Sequence, residues 1–244
     1  MRRRQWLEAP ANLGLSVSAL VAAVAIAWWA HSAVSFGYPL LYDALAIDEH
    51  IAEYAPQNEY RDGFARTSRA KRLALFGALV AAINQGGEGL EALSYRPSLT
   101  SGPIPLLRPA EVKHLRAVAG LVSALTVAGV AALIGFAGTL ITMRWRGVRL
   151  WTSAPLLGLA AALGVGLLIA IVALDTGEDS WFAWAHEQLF GAGHQWFFYY
   201  QESLMTTLLK APDLFLPLAV SMSLVVLLAT ALLYLIARWV LPRR

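Results

Sequence analysis

Four long intervals of this chain carry no Asp, Glu, Lys or Arg: 34 residues between Glu8 and Asp43, 27 between Arg116 and Arg144, 25 between Arg149 and Asp175, and 24 between Asp213 and Arg238. An α-helix rises about 1.5 Å per residue and needs roughly 20 residues to cross a hydrocarbon core. Each interval clears that length, and none has room for two crossings. The spacing predicts an all-α membrane protein with four transmembrane helices near 12–34, 117–143, 152–174 and 213–240. Loops at about 35–116 and 175–212 join them, in a single integral membrane domain covering 1–244. Charged residues make up only 14% of the chain, against about 25% in soluble domains, which excludes a water-soluble globule.

Orientation follows from the basic residues. Arg2, Arg3, Arg4, Arg144, Arg146, Arg149, Arg238, Arg243 and Arg244 sit on three short flanks that hold one acid, Glu8. Four crossings place those flanks on one side. The loop from Asp43 to Arg116 holds nine charges of each sign, and the segment from Asp175 to Asp213 one Lys and six acids. Short basic flanks stay cytoplasmic while long loops are exported, so both termini are expected inside a bacterial plasma (inner) membrane. Trp28, Trp29, Trp181, Trp184 and Trp196 then fall near outer span ends, and Trp6, Trp145, Trp151 and Trp239 near inner ends, as an aromatic belt requires. Met1-Arg2-Arg3-Arg4 resembles the start of a signal peptide, but the apolar stretch behind it outruns the usual core of about 7–15 residues. The first helix is therefore expected to be retained.

Several function classes drop out. The chain has no cysteine, which removes disulfides, thiolate metal sites and thioester chemistry. No P-loop glycine pattern is present, so no nucleotide is expected as partner, and the basic residues follow topology rather than forming a nucleic-acid footprint. No ionisable residue lies mid-span, which weighs against transport.

The polar chemistry is sorted to the outside. His50, His114, His186 and His194 lie in or beside the two exported loops, and His31 at the outer end of the first span. In the first loop, Ala44–Tyr54 reads as a short surface helix. Arg61, Arg66, Arg69, Lys71 and Arg72 form a basic run that either meets anionic headgroups or pairs with Glu59 and Asp62 as a solvated face. The uncharged stretch 73–87 is too short to cross and reads as an interfacial or re-entrant helix. Another helix restarts around Pro109–Glu111, proline suiting a first turn. There Glu111 and His114 are three apart and share a helix face.

In the second loop, His186 and Glu187 follow Trp181, Phe182 and Trp184, and His194 precedes Trp196 and Phe198. If helical, the segment puts His186 on one face with Phe182 and Phe190. Such aromatic density would leave apolar surface in water, so these segments read as interfacial helices forming an outer-leaflet cap, either cradling acyl chains or serving as an anchor. His186, Glu187 and His194 do not make the His-Glu-x-x-His zinc pattern, since position 190 is Phe. No metal and no other cofactor is expected.

These histidine segments carry a resemblance. Pro109-Ala110-Glu111-Val112-Lys113-His114-Leu115 resembles the Glu-x-x-His-Met segment that opens the second span of the bacterial lipoprotein intramolecular transacylase family. His186-x-x-Leu189-Phe190, then Trp196 and Phe198, then Ala211-Pro212-Asp213-Leu214-Phe215, is similar to that family's His-x-x-Phe-Phe, Trp-x-Phe and Pro-x-x-Phe block. The resemblance covers most of the chain, loosely before Pro109. It implies an acyltransferase that moves the sn-2 acyl chain of a lipoprotein's diacylglyceryl-cysteine onto that cysteine's own α-amine, giving a lyso-form lipoprotein. It maps the functional histidines onto His114 and His186. The family pattern has an acid three residues after the first histidine, where this chain has Ala117; Glu111 is the nearest substitute for orienting His114.

The chemistry suits the residue set. An intramolecular ester-to-amide transfer supplies its own nucleophile, so the enzyme needs a base for an amine of pKa about 7.7–8.0 and a donor for the developing oxyanion. Histidine, titrating near 6.5, fits either task. The expected site is therefore His114 and His186 as acid/base pair, with Glu111, Glu187 and His194 supporting. Phe190, Trp196, Phe198 and Trp184 are expected to line the lipid pocket. The substrate is a diacylated bacterial lipoprotein or a membrane lipid. An acyltransferase acting on another lipid, and a non-enzymatic scaffold or lipid-binding component, are the alternatives.

Overall fold

The computed structural model describes residues 2–98, 100–175, 180–191 and 193–241. The side chains of Arg2, Arg3, Arg4 and Trp6, and all of Arg243 and Arg244, used above for orientation, lie outside the described residues. In chain order the elements are α1 (Arg2–Ala33), α2 (Tyr38–Ala44), α3 (Ile47–Tyr54), α4 (Arg69–Asn84), the strands β1 (Ser94–Tyr95) and β2 (Ile104–Pro105), α5 (Pro109–Arg146), α6 (Ala154–Leu174), α7 (Trp181–Phe190), α8 (Leu204–Leu209) and α9 (Phe215–Val240).

Three helical stretches are long and apolar enough to cross a membrane: Glu8–Ala33, Pro109–Arg146 and Phe215–Val240. α6 is uncharged over its 21 residues. Leu13, Val17, Val127, Ile134, Leu156, Leu167, Leu228 and Leu235 are exposed along these four helices. Water would not tolerate so much apolar surface, whereas hydrocarbon requires it. The chain is a multi-pass membrane protein.

The chain forms two compact units. The first comprises residues 1–30, 124–170 and 219–244, a helical bundle. In lipid the hydrophobic effect does not drive helices together, so close packing and polar contacts must. Small residues supply the first. A Cβ built on Gly129 would lie 2.2 Å from the Ala25 Cβ, and one on Gly158 would lie 2.2 Å from the Tyr234 ring; only glycine permits those approaches. Leu15, Ala19, Phe136, Met143, Leu233 and Ala237 pack in one core cluster, and Ala23, Ala27, Ala162, Val226 and Ala229 in a second. Polar contacts supply the rest. Asn12, 1% exposed, donates from Nδ2 to the Arg149 carbonyl (3.0 Å) and accepts the Trp151 N–H at Oδ1 (2.8 Å). One side chain thereby satisfies the turn between α5 and α6. The Tyr234 hydroxyl donates to Ser16 Oγ at 2.7 Å.

The second unit comprises residues 31–123 and 171–218 and contains all five histidines. Tyr38 stacks on Phe76 with ring centroids 3.8 Å apart and planes 7° from parallel. Ile47, Ile51, Phe64, Leu90 and Leu106 are fully buried. β1 and β2 pair antiparallel, Tyr95 opposite Ile104. Backbone bonds tie the two long connections together, the Glu59 N–H donating to the Gln201 carbonyl at 2.8 Å.

Within the basic run, Arg61, Arg69 and Arg72 do not pair with Glu59 or Asp62 as a solvated face. Arg72, 3% exposed, donates to Thr67 Oγ1 (3.0 Å), the Tyr42 hydroxyl (2.9 Å) and the Ala65 carbonyl (2.8 Å), and pairs with Asp48. Arg61 reaches the Leu107 carbonyl at 2.8 Å, and Arg69 pairs with Asp43 at 2.7 Å. These arginines staple connections that form few regular backbone bonds. Their acidic partners are Asp43 and Asp48 rather than Glu59 and Asp62. The surface helix expected over Ala44–Tyr54 begins at Ile47, because Ala46 adopts a left-handed conformation (φ +49°) that separates it from α2.

Candidate active site

The site lies wholly within the second unit and is assembled from α5, α7 and the connection between α7 and α9. His114 stands in the second turn of α5, a helix that opens on Pro109, where the missing N–H costs nothing. His186 stands on α7, whose N-cap Ser180 accepts the Ala183 N–H at 3.0 Å. The imidazoles of His114 and His186 lie 6.2 Å apart, centroid to centroid, and 29° from parallel. Two segments about seventy residues apart in the chain thus bring their rings to one place.

Both rings are in the wall of a cavity of about 570 Å³, within the usual range of about 300–1,000 Å³ for small-molecule sites. Phe182, Trp196, Phe198, Tyr200, Met205 and Phe215 form much of the remaining wall. The Trp196 ring stacks over His186 at 4.7 Å and 30°, and Phe182 packs against the same imidazole at 4.2 Å. Phe190 meets His114 edge-on at 5.1 Å. Such a chamber favours an apolar chain and offers polar chemistry at one face.

Hydrogen bonds decide which nitrogen of each ring is available. His186 Nδ1 lies 2.8 Å from the Phe182 carbonyl. A carbonyl only accepts, so Nδ1 carries the proton and the neutral ring presents Nε2 as a lone pair. Burial holds the His186 pKa below the usual imidazole value, partly opposed by that bond to Phe182. The ring is therefore neutral at neutral pH, the form a base requires. His114, 8% exposed, has Nδ1 at 3.2 Å from His194 Nε2. Tyr200, also in the wall, donates to the Ala211 carbonyl, and burial pushes its pKa up to about 12, so it stays protonated.

The expected site residues divide. His114, His186, Trp196 and Phe198 line the cavity. His194 contacts His114 directly. Phe190 packs among the three imidazoles without lining the cavity. Trp184, 54% exposed, turns away from the cavity and packs edge-on against Trp181 at 5.8 Å. Glu187 is exposed, and its bond is the carbonyl that caps the end of α7. Helical geometry explains both: residues 184 and 187 point away from the face that 182, 186 and 190 share. Glu111 does share a face with His114, but its carboxylate is fully buried and engaged elsewhere. It accepts from Ser203 Oγ at 2.5 Å and from the Arg108 N–H at 2.6 Å. Among the described residues no three His, Asp or Glu side chains converge as a metal-ligand set.

Sequence reasoning missed Arg108, Ser203, Met205 and Thr206. Ser203 caps α8, accepting the Thr206 N–H at 2.9 Å. A serine immediately ahead of the short helix Leu204–Leu209 was the available signal. Its second bond, to Glu111 ninety-two residues away, has no local signature.

The helices and the cavity define a class: a multi-pass helical membrane protein with a histidine-bearing apolar chamber. No family model and no curated relative matches the sequence. Solved structures do match. The fold is that of the membrane integral lipoprotein intramolecular transacylase Lit from Bacillus cereus. One Lit structure superimposes with a TM-score of 0.69 at 14% identity, over 97% of this chain and 96% of that one. A variant of that protein with a histidine replaced by arginine gives 0.72 over 98% and 94%, and one with a histidine replaced by alanine gives 0.71 over 98% and 96%, both at 14% identity.

Proposed function

We propose that this chain is a lipoprotein intramolecular transacylase, with four spans, both termini cytoplasmic and its cavity at the extracytoplasmic face of the bacterial plasma membrane. It transfers the sn-2 acyl chain of a diacylglyceryl-cysteine to the α-amine of the same cysteine. The observation that carries this reading is the convergence of the His114 and His186 rings, 6.2 Å apart, in the wall of an apolar cavity. The shared fold with a protein so named supports it.

The geometry distributes the work as follows. Phe182, Trp196, Phe198 and Phe215 hold the acyl chain and keep water from the ester. Nε2 of His186 takes a proton from the α-amine as the amine nitrogen attacks the sn-2 carbonyl carbon. A new N–C bond forms, and the carbonyl oxygen gains charge beside His114. As the tetrahedral centre collapses, the C–O bond to glycerol breaks, and the glycerol oxygen takes up the proton. The products are an amide and a free hydroxyl, so atoms and charge balance with no group contributed by the protein. Both reactants sit on one molecule, so most of the proximity advantage is intrinsic to the substrate. General acid–base catalysis adds about 10²–10⁴-fold.

The test is mass spectrometry of a diacylated lipoprotein after co-expression. An N-acyl, lyso-form product is expected with the wild-type chain and is lost with His114→Ala or His186→Ala. Acyl turnover on phospholipid with the lipoprotein unchanged would move the substrate to another lipid. No chemistry at all from well-folded protein would leave a scaffold.

A further inference from the structure

His114 has one side-chain hydrogen-bond partner among the described residues, and it comes from a different segment. Nδ1 of His114 faces Nε2 of His194 at 3.2 Å, with ring centroids 5.4 Å apart. Candidates on the same helix do not compete. Glu111, one turn before, is engaged by Ser203 and Arg108. Ala117, one turn after, has no polar group. The remaining rings against His114 are Phe190 at 5.1 Å, Phe198 at 6.3 Å and His186 at 6.2 Å. None of them bonds it.

His194 is itself held in place. α7 ends at Phe190, and the chain reverses through Gly191 (φ +85°) and Gly193 (φ +84°), a conformation that side chains with a Cβ seldom adopt. The His194 N–H donates to the Gly191 carbonyl at 3.3 Å. Its ring stacks on Phe190 at 5.3 Å and 21°. A tight turn thus aims Nε2 of one imidazole at Nδ1 of another.

We infer that His194 is a positioning residue for His114: its Nε2–H donates to Nδ1 of His114, which fixes that ring and leaves its Nε2–H alone presented to the cavity. This inference rests on the transacylase reading for its catalytic consequence, but the dyad itself does not. A ring that keeps one tautomer and one orientation meets the developing oxyanion without reorganising, which is where preorganised groups act. A partner on the far nitrogen is the usual means of fixing which ring nitrogen works.

The experiment uses the full chain in micelles, labelled with ¹⁵N-histidine, as wild type, His194→Phe and His194→Gln. His194→Phe retains a ring against Phe190 and removes the nitrogens; His194→Gln restores an amide able to bond Nδ1. Expected in the wild type is a His114 ring with distinct, tautomer-fixed nitrogen shifts, averaged in His194→Phe and largely recovered in His194→Gln. N-acylation of a diacylated lipoprotein should fall up to about 100-fold in His194→Phe and recover in His194→Gln. Unchanged His114 nitrogen shifts in His194→Phe overturn the inference, whether or not the rate falls. A wild type that makes no N-acyl lipoprotein defeats the transacylase reading, while the nitrogen shifts still decide the dyad.

Discussion

Replacing Ser203 with alanine removes a single buried oxygen that holds two parts of the site. Ser203 is fully buried; its Oγ donates to Glu111 Oε1 and accepts from both the Thr206 N–H and the Thr206 hydroxyl at 2.9 Å. Two losses follow. The N-cap of α8 is worth about 1 kcal/mol. The bond to a buried carboxylate is worth about 1.5–3 kcal/mol, since truncation leaves that oxygen unsatisfied. Because both share one atom they do not add fully, and we expect Ser203→Ala to cost about 2–3 kcal/mol. The cost should be coupled to Glu111. In a Glu111→Gln background the acceptor is no longer a carboxylate, and the penalty for Ser203→Ala should drop by about 1 kcal/mol. Denaturant unfolding of the four proteins in mixed micelles, followed by tryptophan fluorescence, closes this double-mutant cycle. A Ser203→Ala penalty under about 0.5 kcal/mol, the range of an ordinary surface substitution, would refute the reasoning. So would a penalty of the same size in both backgrounds.

Three further outcomes can be checked together. Gly129→Ala places a methyl group 2.2 Å from the Ala25 Cβ and should destabilise by about 1–3 kcal/mol through overpacking, whereas Gly138→Ala, with nothing within 4 Å, should be silent in the same thermal scan. Arg72→Lys keeps the charge but cannot span the Thr67, Tyr42 and Ala65 acceptors together; we expect a loss of about 2–3 kcal/mol, read as a lower denaturant midpoint. His50 is 7% exposed with Nε2 unpartnered, and burial, aided by Lys210, holds its pKa below the usual value. Its unfolded form takes up a proton more readily than its folded form, so the stability it contributes is present above about pH 6.5 and is lost as pH falls below that. His50→Phe should flatten the pH dependence of the unfolding midpoint below about pH 6.5.

Much of the fold was legible because the constraint was one-dimensional. A membrane core demands unbroken apolar helix, and that demand is written in consecutive residues. Helices α1, α5, α6 and α9 follow the four charge-free intervals, and α5 begins at the proline expected to open it. The face shared by Phe182, His186 and Phe190 is likewise local, since positions four apart on a helix lie one above another. On that same periodicity Trp184 and Glu187 fall off the shared face, and both are exposed.

Local order in the chain therefore determined the apolar helices and which residues of α7 share a face. It could not determine partners chosen across the second unit. Arg72 was read against neighbours in sequence, yet Asp48 and the Tyr42 hydroxyl reach it from the far side of a turn. Glu111 lay one turn from His114, yet its carboxylate was claimed by Ser203, and the imidazole it left free was met by His194. A buried polar group bonds whichever complementary atom the packed chain delivers to it, and that delivery depends on how α5, α7 and α8 come together, a property of three dimensions that no spacing in the sequence encodes.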